Sequence, residues 1–151
     1  MAKTTSPGLF NGLSKEDVQK LTGQGQLLQL HAGQEHIEQG KPQGHLFVVL
    51  SGRVHAGHRT ARGAQRYLGI VETGETYGEV TLFDAKPASA SIKAGPASEI
   101  LMIPRSAIFQ FLCDHPAAGC TLLLNLCQTM AQRLRSANAR LGNDPTLNLT
   151  G

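Results

Sequence analysis

Residues 77–92 contain the groups of this chain that are best suited to binding a ligand. Gly78 lets a bound molecule approach the backbone closely, because glycine has no Cβ. Glu79 follows directly, and its carboxylate can accept two hydrogen bonds from the hydroxyls of a sugar. Further on, backbone N–H groups and the hydroxyl of Ser89 can face an anion. The stretch therefore predicts a short loop, set between two strands, that binds a phosphate.

Length and composition indicate a single globular domain. The 151 residues are 40% apolar and 17% charged, which is ordinary for a soluble protein. The net charge of +3 is too small to indicate binding to nucleic acid or to a membrane surface. No segment has the apolar core of a signal peptide or the roughly 18 apolar residues of a membrane span. We therefore expect a cytoplasmic domain that does not bind membranes.

The three cysteines are an odd number and lack the spacing of a metal site. Such a count fits a reducing cytoplasm. No basic residue lies beside any of them in the sequence, which disfavours redox sensing. We expect Cys113, Cys120 and Cys127 to be small, buried apolar residues.

Short apolar runs alternate with glycine-bearing turns from about Gln26 to Pro104. Short strands at this spacing are typical of a β-sandwich or barrel, and we predict a mainly β domain of eight strands, a double-stranded β-helix or jelly roll. Before them, residues 1–7 form a predicted disordered tail, and Ser14 can cap an N-terminal helix that Gly23 ends. The apolar runs lie at residues 27–30, 46–50, 67–71 and 100–103.

The pattern becomes helical after Pro104. Ser106 can cap a short helix, and Pro116 opens a long helix that runs to Leu141, with a tail at 142–151. We therefore predict helices at both ends of the β domain. The apolar residues of the short helix are Ile108, Phe109 and Leu112.

An apolar stripe runs along the long helix with alternating spacings of four and three residues. This is the a/d pattern of paired helices, and we interpret it as the contact surface of a homodimer. The alternative is that the stripe packs on the β core of its own domain. A helix of about 25 residues spans nearly 40 Å, further than one small sandwich covers, which favours the dimer. The stripe, called the seam below, consists of Leu123, Cys127, Met130, Leu134, Ala137 and Leu141.

Residues 78–90 resemble the phosphate-binding cassette of the cyclic-nucleotide-binding domain, the sensor fold of the catabolite activator protein. The pattern of that family is Gly-Glu-aliphatic-x-Leu, a short gap, and then Arg-Ser/Thr-Ala. This chain has Gly78-Glu79-Val80-Thr81-Leu82 and Ser89-Ala90, but Ala88 stands where the arginine is expected. Glycine motifs at 33–40 and 47–54 extend the resemblance over residues 8–141. The resemblance implies one such domain at 8–141, including a dimerisation helix at 116–141.

The resemblance also implies where a cyclic nucleotide, cAMP or cGMP, would bind. Its ribose would contact Glu79, between Gly78 and Val80, and Arg133 from the long helix would pair with that carboxylate. The alternative is a structural ion pair between Glu79 and Arg133 with no ligand. Asn138 would offer a donor and an acceptor to the base, or else it is a solvated helix residue.

The phosphate would lie at the turn formed by Ala88, Ser89 and Ala90. An arginine there makes charge-assisted hydrogen bonds worth roughly 1.5–3 kcal/mol each, so its absence should weaken binding by about a hundredfold or more. What remains are the backbone N–H groups of Ala88 and Ser89, the Ser89 hydroxyl, and Lys86. Lys86 is the only cation in the loop and supplies a point charge without bidentate geometry.

Other functional classes find little support. Five histidines in the first half of the chain invite comparison with cupin-type metal enzymes, but their spacing does not fit, and we expect them on the surface in turns. No nucleophile elbow, zinc-helix motif or Walker loop is present, so we predict no enzymatic activity. Residues 142–151 are too few for a helix-turn-helix, so we expect no direct DNA binding. The histidines are His31, His36, His45, His55 and His58.

Two hypotheses follow for the function. In the first, the chain is a regulatory sensor that binds cAMP or cGMP and signals through its C-terminal helix. In the second, it is a degenerate domain that has lost the nucleotide and whose helix and barrel dock a protein partner. The absence of an arginine at position 88 keeps the second hypothesis open.

Overall fold

The computed structural model describes residues 8–143, which form four helices and eight strands. Their order is α1 (Lys15–Thr22), β1 (Gln26–Leu30), β2 (Glu35–Ile37), β3 (His45–Ser51), β4 (Arg53–Arg59), β5 (Gln65–Glu72), β6 (Thr76–Tyr77), α2 (Glu79–Asp84), β7 (Ser91–Ala94), β8 (Ser98–Pro104), α3 (Arg105–Asp114) and α4 (Pro116–Gly142). The predicted tail at 1–7 and most of the tail at 142–151 lie outside the described residues.

The strands form two four-stranded sheets, and the predicted jelly roll is confirmed. One sheet has the order β1-β8-β3-β6, and the other has the order β2-β7-β4-β5. Every pair with a recorded register is antiparallel. Neighbours in each sheet are mostly distant in sequence, as expected for this architecture.

Strand β3 is buried on both faces, which explains its unbroken apolar run. Phe47 and Val49 point into the space between the two sheets and pack with Tyr77. Leu46 and Val48 point to the other side, where the helices cover the first sheet. A strand that is covered on both faces needs apolar residues at every position rather than at alternate ones.

The helices begin and end close to their predicted positions. The Ser14 side chain accepts a hydrogen bond from the Asp17 N–H at 3.1 Å, so Ser14 caps α1 as predicted. Helix α3 begins at Arg105, and Pro104 rather than Ser106 occupies its N-cap position. Its buried residues are Ile108 and Phe111. Of the other apolar residues named for this helix, Phe109 is exposed and Leu112 is half-buried.

Helix α4 packs on its own domain through a face other than the seam. Leu122 and Leu126 are buried against the helical core, and the Asn125 side chain donates hydrogen bonds to the carbonyls of Leu9 and Asn11. The seam is only partly covered by its own domain: Leu123, Met130 and Ala137 are half-buried, whereas Cys127, Leu134 and Leu141 are exposed. The exposed half does not fit the alternative in which the seam packs on its own β core.

The positions of the cysteines and most histidines differ from the predictions. All three cysteines are exposed, because they lie on the outer sides of α3 and α4, and the expectation that they are buried is wrong. Four of the five histidines lie in strands rather than in turns, and only His31 lies in a connecting segment. None of the helices within residues 8–143 is long and apolar enough to cross a membrane.

Candidate functional site

Gly78 creates the turn that positions the site. Its φ is +88°, in the left-handed region that favours glycine. A Cβ at this position would lie 2.7 Å from the carbonyl oxygen of His45 and 2.9 Å from Nε2 of Gln43. The chain can therefore leave β6 and enter α2 only with glycine at this position, packed directly against the start of β3.

The turn at Gly78 places Glu79 inside the barrel. Glu79 is the first residue of α2 and is only 3% exposed. One carboxylate oxygen, Oε1, pairs with Nη1 of Arg133 on α4. The other, Oε2, is fully buried and has no hydrogen-bond partner among the described residues. A buried carboxylate oxygen without a donor is costly, so this atom is suited to a hydroxyl group supplied from outside.

Arg133 ties α4 to the barrel at two points. Besides the contact with Glu79, its Nη2 donates to the backbone carbonyl of Thr76, the first residue of the barrel strand β6. The guanidinium thus bridges three elements, β6, α2 and α4. Any ligand that binds to Glu79 would act directly on the group that holds α4 in place.

The turn proposed to hold the phosphate has a fixed backbone. Ala88 is 7% exposed, its N–H donates to the Lys41 carbonyl at 2.9 Å, and its carbonyl accepts from the Gly40 N–H at 2.9 Å. The expectation that the Ala88 N–H remains free for an anion is therefore wrong, because the loop at 40–41 already uses it. The N–H groups of Ser89 and Ala90 donate to no other backbone group of the described residues.

These groups surround a cavity of about 130 Å³. This volume is below the roughly 300–1,000 Å³ of typical ligand pockets, so the cavity would enclose only part of a nucleotide. Three predicted residues lie outside the lining: Lys86 and Asn138 are exposed to solvent, and Arg133 contacts Glu79 from α4. Six of the predicted residues line the cavity, namely Gly78, Glu79, Val80, Ala88, Ser89 and Ala90.

Several residues of the lining are not among those predicted from the sequence. Gln43 donates from Nε2 to the His45 carbonyl at 2.8 Å and to the Thr81 hydroxyl at 3.2 Å, and no motif in the sequence indicates this role. Thr81 lies inside the recognised motif and could have been predicted from it. The missed lining residues are Ile37, Gln43, Tyr77, Thr81 and Ile92.

Tyr77 forms the aromatic wall of the site. Its ring stacks on Phe47 with centroids 4.8 Å apart, and its hydroxyl is buried without a hydrogen-bond partner among the described residues. Burial raises the pKa of Tyr77 well above its ordinary value. The hydroxyl therefore stays neutral at physiological pH and can donate a hydrogen bond. Within residues 8–143, no cluster of three or more His, Cys, Asp or Glu side chains could hold a metal ion.

The sequence of the chain matches a known domain family. The family model described as "Cyclic nucleotide-binding domain" matches residues 27–115, and the chain therefore belongs to this family. The match includes the whole of the site from β6 to β7 and ends just before α4.

Similar proteins are bacterial regulators and domains of the same fold. A "CRP-like cAMP-activated global transcriptional regulator" of Mycobacterium tuberculosis is 27% identical over 136 residues, or 90% of this chain and 59% of the relative. The Thermus thermophilus catabolite activator protein matches with a TM-score of 0.77 and 30% identity, over 89% of this chain and 61% of that one. A cyclic nucleotide-binding domain from Methylobacillus flagellatus matches with a TM-score of 0.80 and 26% identity, over 87% and 74%. The chain thus spans about three fifths of the first two proteins.

Proposed function

We propose that this chain is a non-catalytic regulatory module, folded over residues 8–141, that binds a cyclic nucleotide of the cAMP or cGMP class. The observation that carries the proposal is the buried Glu79 carboxylate, which has one oxygen on Arg133 and the other without a donor. A ribose 2′-hydroxyl would supply the missing donor. The similarity to a regulator described as cAMP-activated supports the same ligand class.

The phosphate would lie at the turn of residues 88–90. The N–H groups of Ser89 and Ala90 and the Ser89 hydroxyl are the donors proposed for it, with Lys86 contributing charge from the exposed side of the loop. Asn138, which is exposed on α4, would reach the base. Gly78 and Val80 would form the wall beside the ribose.

Signalling would proceed through α4. Arg133 connects α4 to Glu79, so a ligand that binds Glu79 would change the free energy of the Arg133–Glu79 contact. The seam on the far side of α4 would hold a second copy of the chain, because its leucines at 134 and 141 are 62% and 52% exposed. We therefore propose a homodimer in which the ligand adjusts the position of paired helices.

Isothermal titration calorimetry with cAMP and with cGMP tests the proposal. We expect one of them to bind with a Kd below about 10 μM, and Glu79→Gln to weaken it by roughly 10- to 100-fold, since a hydrogen bond to a charged group contributes about 1.5–3 kcal/mol. Glu35→Gln, on the exposed surface of β2, is the matched control and should bind normally. Absence of heat at millimolar concentrations of both nucleotides would contradict the proposal.

A degenerate domain that docks a protein partner is the second candidate. It is favoured by the buried methyl group of Ala88, by the occupied Ala88 N–H and by the small cavity. Ala88→Arg distinguishes the two: in a cavity still shaped for phosphate, the variant should bind the nucleotide at least about tenfold more tightly. A folded variant that gains no affinity supports the degenerate domain.

A further inference from the structure

His58 contacts the turn proposed to hold the phosphate. It lies near the end of β4, and its Nδ1 is 3.3 Å from the carbonyl oxygen of Ser89. A carbonyl oxygen only accepts hydrogen bonds, so Nδ1 carries the proton in this contact. The contact therefore joins an ionisable side chain to the turn at residues 88–90.

The alternation of β4 places His58 on the inner face of the sheet. Val54 is fully buried and Ala56 packs against the core, so His58 is the next residue on the same side. The irregular register between β4 and β5 does not disturb this order, because the additional residue, Leu68, belongs to β5. His55 lies between Val54 and Ala56 on β4, so its side chain points outward, where it contacts the ring of Tyr67.

The end of β4 and the phosphate turn are joined into one unit. The Gln39 side chain donates to the Arg59 carbonyl at 3.1 Å and accepts from the Arg59 N–H at 2.6 Å. The same loop holds Ala88 through Gly40, as described above. His58 also borders an open cleft of about 410 Å³, so protons can reach the imidazole from solvent. The side chain is therefore held against Ser89 and open to solvent.

We propose that His58 replaces the arginine that is absent at position 88. Its neutral form holds the Ser89 turn in place, and its protonated form adds the positive charge that Ala88 cannot provide. This inference rests on the proposed function, since it concerns the phosphate of the same nucleotide. It makes His58 a positioning residue that gives the affinity a dependence on pH.

The other charged groups around His58 do not produce such a dependence. Arg66 lies opposite His58 on β5, Arg59 follows it on β4, and Glu38 lines the same cleft, with Lys86 three residues before Ser89. Glutamate, lysine and arginine ordinarily keep one charge state between pH 5.5 and 8, whereas histidine changes charge there. A pH response of phosphate binding over this range therefore points to histidine.

Calorimetry of cAMP and cGMP binding at pH 5.5 and 8.0, at constant ionic strength, tests the inference. We expect the wild-type affinity to rise about tenfold towards pH 5.5, the effect of one unit of pKa change upon binding. In His58→Asn the amide Nδ2 takes the place of Nδ1, so the turn is held but no charge can form. This variant should match the wild type at pH 8.0 and show no gain at pH 5.5. Unfolding curves at both pH values check that each variant is folded.

His55→Asn, on the outer face of the same strand, is the control and should keep the wild-type pH response. A third variant, His58→Val, removes donor and charge together and should bind more weakly than His58→Asn at both pH values. If His58→Asn keeps the tenfold response, the inference is wrong and the proposed function stands. If neither nucleotide binds the wild type at either pH, both are wrong.

Discussion

At the scale of single residues, one side-chain constraint and one backbone constraint shape the site. Glu79 has a buried oxygen without a donor, and such an atom lowers stability by about 1–3 kcal/mol. Groups of this kind are commonly retained because function requires them. Gly78 is constrained in another way, since both its φ and its contacts exclude a side chain. The two neighbours therefore combine a strained turn with an unsatisfied acceptor.

Gly78→Ala should lower the free energy of unfolding by at least about 2 kcal/mol. A left-handed alanine costs roughly 1–2 kcal/mol, and the contacts with His45 and Gln43 add to this cost. Denaturant titration monitored by circular dichroism measures the change. Gly74→Ala is the matched control, because its φ is +87° and a Cβ there would meet no atom within 4 Å. Equal losses in both variants would show that the close contacts at Gly78 contribute nothing.

At the scale of elements, α4 has two apolar faces, and one of them packs on the domain. The face with Leu122 and Leu126 belongs to the core of the domain, whereas Leu134 and Leu141 of the seam are exposed beyond it. Exposed leucines at a/d spacing are unusual on an isolated helix, and the proposed homodimer rests on them. Arg140 adds a contact near the end of α4, where Nη1 donates to the Leu68 carbonyl of β5. The helix is thus fixed to the barrel on one side and carries exposed leucines on the other.

Leu134→Asp should convert the proposed dimer into a monomer while leaving the domain folded. The charge would be buried in a paired seam, where burial without a partner is costly, but it stays in water on a single chain. Sedimentation velocity measures the mass in solution. Leu27→Asp on β1 is a control of nearly equal exposure, 63% against 62%, and should remain dimeric. A monomeric wild type, or a dimeric Leu134→Asp, would contradict the proposal.

At the scale of the whole molecule, the two sheets bury an ionisable ring among aromatic ones. The His36 ring on β2 meets Phe47 and Tyr77 edge-on, with centroids 4.8 and 5.9 Å away. Its Nε2 is buried without a partner among the described residues. Burial, and then the nearby charge of His45, lower the pKa of His36 below its ordinary value of 6.5. This half-buried ring is therefore favoured in its neutral form.

Stability should fall as the pH drops below about 6.5. The unfolded chain takes up a proton at the ordinary pKa of histidine, while the folded chain with its lowered pKa does not. His36→Phe keeps the ring packing and removes the titration, so its stability should depend less on pH between 7.5 and 5.5. Thermal unfolding at both pH values measures this difference. His31→Phe, at an exposed position, should retain the wild-type dependence. An unchanged dependence in His36→Phe would exclude His36 as its source.

The sequence by itself determined the features that depend on neighbouring residues. Short apolar runs between glycines predicted the jelly roll, Ser14 and Pro116 marked helix starts, and the motif from Gly78 identified the family. These signals are local, because capping, left-handed turns and strand periodicity act over a few residues. For the same reason a residue-by-residue pattern could recover most of the lining of the cavity, which comes largely from one continuous segment.

The family resemblance placed Arg133 against Glu79, but only the tertiary structure decided the other contacts between distant segments. It showed that Lys41 uses the Ala88 N–H, that Gln43 reaches Thr81, and that His58 holds Ser89. It also decided which face of α4 is buried, and with it the exposure of Cys120 and Cys127. Such contacts depend on how two sheets and a helix pack together, and packing complementarity between distant segments leaves no periodic trace in a single sequence.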